Sequence, residues 1–339
     1  MKRPKAALHA ISYHLPERVL TNEELASEYG GWSPDKIEAK TGIRKRHIAG
    51  PGECVSDMAI SAAKELFATG ACKPGEIDGL LLCTQSPDHF LPSTACLVQE
   101  RLGLPTTCAA LDFNLGCSGF VYGLGMSKGL IETGQARKVL LITAETYSKH
   151  IHPGDKSVRT IFGDAAAVTL VQAVQSEDES IGPFVYGTDG RGAKNLIVPA
   201  GGFRQPFVVN AETTEDGSGN KRTINNLYMN GPEIFNFTLS VVPETVSRLL
   251  AMAGKRMEDI DLFVVHQANQ FMLEHLKRKL KVPDEKMPIL MAHCGNTVSS
   301  TIPILLKDLE TTGRLRKGQC IMLLGFGVGY SWAGSLVRW

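Results

Sequence analysis

Residues 77–142 of this chain are echoed by residues 260–324, and the echo constrains both the fold and the place of any chemistry. The first copy reads IDGLLLCTQ, runs through an apolar-periodic stretch to LGLP, turns at GCSGF and ends at ETGQARKVLLI. The second reads IDLFVVHQAN, passes LKVP, turns at CGNTVSS and ends at ETTGRLRKGQCIMLL. Asp78 and Asp261 each stand five residues before Cys83 and His266. Cys117 and Asn296 each stand seventeen residues before a glycine, Gly134 and Gly313. Self-similarity of this kind signals a duplicated unit. It puts Cys117, His266 and Asn296 at strand ends or at turns into helices, where open α/β sheets gather their ligands.

Short β-rich runs (GLLLCT, VLLITAE, AAVTLVQ, LFVVHQ, CIMLLGFG) alternate with longer helical patterns. The helical stretches are predicted at 57–69, 92–102, 118–133, 231–253 and 270–280. Alternation of this kind predicts a layered α/β fold with buried central strands. The halves divide as 1–173, which carries the candidate nucleophile, and 174–339, which carries His266 and Asn296. Residues 203–226 break the pattern. They are polar and aperiodic, as a functional lid or a mobile excursion would be.

Composition excludes several classes of function. A net charge of +1 over 339 residues, with 43% hydrophobic and 21% charged residues, is that of a soluble globular chain with no call for nucleic acid or a membrane surface. No apolar run approaches the ~18 residues of a membrane span. The basic Met1–Lys5 stretch is followed by no signal-peptide core. Eight cysteines lie scattered with no CxxC pair, which predicts a reducing cytoplasm and no structural metal. His150, His152 and Asp155 lack the fixed spacing of a metal site. The Lys277-Arg278-Lys279 cluster reads as a solvated helix face.

Cys117 follows AALDFNLG and opens a helical run among small neighbours, Gly116, Ser118 and Gly119. A thiol at a helix start sees unpaired N–H groups and the positive dipole end, and both favour thiolate. His266 ends an apolar strand and is a plausible base or donor near neutral pH. The Asn296 amide can donate to an oxyanion, and local sequence serves equally well for a helix cap near Val298. Gly325-Phe326-Gly327-Val328-Gly329 has too little chain behind it for a dinucleotide site, whose acidic ribose-binding residue falls about 20 residues on. It fits a glycine-rich turn that brings backbone N–H groups to a reacting carbonyl. Asp164 reads as structural.

Six segments, TGIRKRHIA (41–49), DFNLGCSGF (112–120), IFGDAAA (161–167), VVHQAN (264–269), CGNTVSSTIP (294–303) and GFGVGYSWAGSLVRW (325–339), resemble in order the β-ketoacyl-acyl-carrier-protein synthase III group of the thiolase-like superfamily. The resemblance implies a five-layered α-β-α-β-α fold of two duplicated halves, a homodimer and a Cys-His-Asn centre at Cys117, His266 and Asn296. It implies decarboxylative condensation of an acyl thioester with malonyl on an acyl carrier protein through an acyl-cysteine. The backbone N–H groups of Cys117 and Val328 would hold the oxyanion. Substrate contacts are implied at Lys40, Leu91, Lys156, Phe162, Met229 and Phe326, Leu91 reaching the neighbouring subunit's acyl pocket. Coenzyme A or phosphopantetheine thioesters are the implied substrates, with no cofactor.

The chain departs from the family pattern at the mouth of the site. Lys36 stands where coenzyme A users often place a tryptophan, and Phe271 where an arginine is common. Pro232 follows Met229-Asn230-Gly231, and GNTVSS replaces GNTSAAS. Loading from an acyl carrier is therefore expected to outpace loading from coenzyme A. Acyl transfer to an oxygen or nitrogen acceptor, a silent partner subunit of the same fold and a thioesterase remain as other readings.

Overall fold

The chain's computed structural model describes residues 4–339, so the first three residues of the basic Met1–Lys5 stretch lie outside the described part. Two sheets carry the sequence repeat. In the first, β1 (Lys5–His14), β2 (Gly79–Cys83), β3 (Ala109–Phe113), β4 (Lys138–Glu145) and β5 (Ala165–Val174) take the order β1-β5-β4-β2-β3. In the second, β6 (Ile181–Thr188), β7 (Leu262–Val265), β8 (Cys320–Gly327) and β9 (Ser331–Arg338) take the order β6-β9-β8-β7. Each set begins with two antiparallel pairings and then a parallel one, so β1-β5-β4-β2 matches β6-β9-β8-β7 strand for strand. The first sheet alone adds a fifth strand, β3, parallel to β2 and at the edge.

The layers follow from which faces are apolar. α1 (Val55–Ala68) and α2 (Thr94–Arg101) cover the outer face of the first sheet. α3 (Gly119–Glu132) touches strands of both sheets and therefore lies between them. α4 (Gly231–Ala253) packs on the second sheet's outer face with α5 (Gln270–Leu280) against it, and α6 (Thr301–Thr311) joins α3 in the middle layer. The arrangement is α-β-α-β-α. Phe120, Leu124, Leu141, Val264, Ile302 and Leu323 meet in the middle core. β2 is buried at every position, as a central parallel strand with both faces covered must be.

Helix limits follow local chemistry. α4 starts where Asn230 accepts the Glu233 N–H and stops at Gly254, φ 60°. α5 starts where Asn269 accepts the Met272 N–H at 2.9 Å. Both helices have the predicted bounds. Residues 203–226, expected as a lid or a mobile excursion, hold a short hairpin. Thr214–Glu215 pairs with Lys221–Arg222, and Arg222 joins Asp155 and Asp216 at 2.8 and 2.9 Å. Lys277 also departs from its expected solvated face: it is buried, with Nζ between Glu274 and Asp284 at 3.2 and 3.0 Å.

Candidate active site

The two turns that the repeat singled out come together at the middle of the molecule. Cys117 sits between β3 and α3, its turn closed by the Gly119 N–H on the Gly116 carbonyl at 2.8 Å. β8 passes so close that a Cβ on Gly327 would lie 2.9 Å from the Cys117 sulfur, and one on Gly325 would lie 2.7 Å from the Cys117 carbonyl. Only glycine lets that strand lie against the nucleophile. Val328, next along the strand, packs against the Gly116 position.

His266 follows β7 and continues its ladder, its N–H on the Leu324 carbonyl at 2.8 Å. Its ring meets Phe326 edge-on at 5.5 Å, and Nδ1 lies 2.7 Å from Thr301 Oγ1. Asn296 is held across the two halves: its N–H donates to Ile161 and its carbonyl accepts from Gly163, each at 3.0 Å. Its side chain is not the helix cap, since Thr297 stands at the N-cap of Val298–Ser300. Oδ1 accepts the Val298 N–H two residues on at 2.9 Å, and Nδ2 donates to the Ala268 carbonyl at 3.3 Å with its second hydrogen left over.

Cys117, His266 and Asn296 line one inner cavity of about 70 Å³, together with Phe162, Met229 and Phe326. Met229 also lines a wider cleft of about 770 Å³ outside it, with Lys40, Lys156, Ser218, Asn220, Pro232 and Phe271. The cleft and the cavity share Ile161, Gly231, Asn269 and Met272 as well, so one leads into the other. Leu91 lines neither; it stands 82% exposed beside the equally exposed Phe90.

Burial decides the charge states. It pushes the Cys117 thiol up to about 12, and the carboxylate of Glu145 adds to this, against a smaller lowering by the cysteine's own N–H. The thiolate expected from a place just before a helix is therefore not the resting state. Burial also takes His266 down to about 3, leaving a neutral imidazole. Glu145, at the end of β4, is fully buried and pushed up to about 8, chiefly by desolvation.

Three of these features escaped the sequence reading. Trp32 lines the outer cleft with the ammonium groups of Lys36 and Lys40 over its ring at 5.6 and 5.1 Å. The mouth thus has an indole although position 36 is a lysine. Positions 32, 36 and 40 fall four apart, on one side of the Pro34–Thr41 helix and its lead-in, and that spacing was the available signal. Glu145 was signalled as a charged end to an otherwise apolar strand, as His266 is. Thr301 had no distinguishing sequence context. Among the described residues no cluster of His, Cys, Asp or Glu is arranged to hold a metal, and no helix is long and apolar enough to cross a membrane.

Comparison with known proteins identifies the family of the chain. Residues 111–190 match the family model described as 3-oxoacyl-[acyl-carrier-protein (ACP)] synthase III, and residues 250–339 match its C-terminal counterpart. A β-ketoacyl-[acyl-carrier-protein] synthase III of Caldanaerobacter subterraneus is 37% identical over 98% of both chains. A 2.1 Å crystal structure of a 3-oxoacyl-(acyl-carrier-protein) synthase III superposes with a TM-score of 0.98 at 58% identity, covering 99% of this chain and 100% of the other. The Pseudomonas aeruginosa PAO1 enzyme of that name superposes with a TM-score of 0.87 at 32% identity, covering 99% and 98%. The fold is thiolase-like, and the chain belongs to the 3-oxoacyl-[acyl-carrier-protein] synthase III family of acyltransferase enzymes.

Proposed function

We propose that Cys117 accepts an acyl group from a thioester and passes it to the carbanion formed when malonyl on an acyl carrier protein loses CO2, giving a 3-oxoacyl product. The observation that carries the reading is the meeting of Cys117, His266 and Asn296 in one inner cavity of about 70 Å³ that opens into a cleft of about 770 Å³. The resting cysteine is a thiol. Its proton leaves as sulfur attacks the thioester and departs with the released carrier thiol. The tetrahedral oxyanion is held by the N–H groups of Cys117 and Val328. Malonyl then enters, CO2 departs, and His266 Nε2 and Asn296 Nδ2 hold the enolate oxygen. The enolate carbon attacks the acyl-cysteine and expels its sulfur as thiolate, which takes a proton from water to restore the resting thiol. Splitting transfer from condensation is what a covalent nucleophile offers.

Lys40, Lys156 and Trp32 at the mouth serve the phosphate and base of a donor such as coenzyme A or the phosphate of a carrier arm. The expected handicap with coenzyme A loses its main ground, since Trp32 offers an indole at that mouth. The enzyme works in the cytoplasm as a homodimer without a cofactor, each Leu91 turned toward its neighbour's pocket.

The test is intact mass with acyl-coenzyme A and acyl carrier protein. Cys117→Ala should form no acyl adduct. His266→Ala and Asn296→Ala should still acylate and lose malonyl decarboxylation by ~10²–10³, the usual cost of one oxyanion donor. An adduct on Cys117→Ala protein would overturn the reading.

A further inference from the structure

A neutral imidazole carries one proton on two nitrogens, and which nitrogen holds it is set by what the other one bonds. His266 Nδ1 has a single partner among the described residues, the Thr301 hydroxyl at 2.7 Å. That hydroxyl also lies 3.1 Å from the Val298 carbonyl. It has one proton to give. If the proton goes to Val298, Oγ1 accepts from Nδ1–H and Nε2 faces the cavity as a bare lone pair. If it goes to Nδ1, the ring proton sits on Nε2 and faces the cavity that His266 lines. O–H···O bonds run about 2.5–3.0 Å, so the Val298 contact is long while the Nδ1 contact is of full strength.

We propose that Thr301 is a positioning residue that donates its hydroxyl proton to His266 Nδ1 and so holds the Nε2–H tautomer that faces the inner cavity. This rests on the reading that His266 donates to the enolate oxygen.

The surroundings fix the hydroxyl for that task. Thr301 is buried and is the first residue of α6. Ser300 before it is bonded to the Thr143 carbonyl at 2.9 Å, across the boundary between the halves. Phe326 against the ring edge limits reorientation of the imidazole, so the nitrogens cannot exchange places by a flip without repacking. Proton position, rather than ring position, is what Thr301 controls. Asn296 needs no such partner, because an amide donates from Nδ2 in any state.

The test uses the full chain, labelled with ¹⁵N at histidine, and the His266 signals are assigned by their loss in His266→Ala. The wild type should show a protonated Nε2 and an Nδ1 that accepts a hydrogen bond. Thr301→Val should lose that pattern and slow malonyl decarboxylation by ~10²-fold, as removal of an oxyanion donor does, with Cys117 acylation by mass unchanged. Thr301→Ser should restore both tautomer and rate. Wild-type protonation at Nδ1 overturns the proposal, and so does a Thr301→Val protein that keeps the Nε2–H tautomer whatever its activity. Normal decarboxylation by His266→Ala, with the tautomer behaving as stated, would remove the enolate role of His266 and leave Thr301's control of the proton standing.

Discussion

At the scale of single residues the site is governed by what is buried without a counter-charge. Glu145 accepts the Gln85 N–H at 3.1 and 3.0 Å and the hydroxyls of Ser86 and Ser299 at 2.9 and 3.2 Å. The ionisable groups that bear on it are acids: Cys83 on β2, Cys117 before α3, Tyr147 after β4 and Asp164 before β5. With no cation to balance it, the carboxyl prefers its proton and titrates near 8. Below that it is neutral and does not oppose the Cys117 thiolate; above it the new charge holds the thiol proton on. The expected outcome is that iodoacetamide alkylates Cys117 in Glu145→Gln as fast as in wild type near pH 7 and faster above pH 8. Two identical pH profiles would refute the coupling. The same shift fixes the sign for stability. A carboxyl raised from its unfolded value near 4.3 holds extra proton when folded between there and about 8, so its contribution to stability declines as pH rises through that window.

Elements explain why some of this was legible in the sequence and some was not. α4 and α5 could be bounded by inspection because Asn230, Gly254 and Asn269 are capping residues with a single good explanation. That Cys117, His266 and Asn296 share one cavity was legible because duplication marks equivalent strand ends and turns. The segment 203–226 was opaque because its order comes from charge pairing and not from periodicity. Arg222 is joined to Asp155, whose side chain is 1% exposed and whose Oδ1 also takes the Ser157 N–H and hydroxyl. That aspartate caps the single turn carrying Lys156, so the hairpin and the cleft wall are one assembly. Arg46 was hidden for a similar reason. It is fully buried and answered by the Asn22 side chain and the Leu20 and Thr160 carbonyls, a match that no spacing records. Removing Arg222 leaves a buried carboxylate unpaired. Arg222→Ala should cost on the order of 2–3 kcal/mol, somewhat less than the roughly 3–5 kcal/mol of a fully enclosed pair. It should also raise KM for acyl-coenzyme A several-fold while leaving alkylation of Cys117 by small iodoacetamide unchanged. Denaturant melts and the two rates together check this; an unchanged KM would separate the hairpin from substrate binding.

On the scale of the whole molecule, the difference between the two otherwise matching sheets is the most telling feature. The second sheet has no counterpart of β3, and in the first sheet β3 is paired on one side only. Its free edge exposes Leu111 at 43%, and a bare apolar edge is something soluble proteins cover. Phe90 and Leu91 stand exposed in the connection that runs from β2 to α2, with Phe203 5.8 Å from Phe90. That connection belongs to the first repeat, which is five residues longer than the second between Asp78 and Pro105. The proposed homodimer would answer both observations if a second copy added its own β3 to the edge, doubling the sheet, with the insertions reaching across to the neighbouring cavities. Light scattering at micromolar concentration should then give twice the 36.7 kDa chain mass. Leu111→Lys puts a charge at the centre of the pairing edge and should yield monomer. If Leu91 completes its neighbour's acyl pocket, that monomer should lose most condensation activity while its Cys117 still reacts with iodoacetamide. Leu91→Ala should remain dimeric and change the preferred acyl length instead. A Leu111→Lys monomer with full condensation activity would show that each chain builds its site alone, and the exposed Leu91 would then need another explanation.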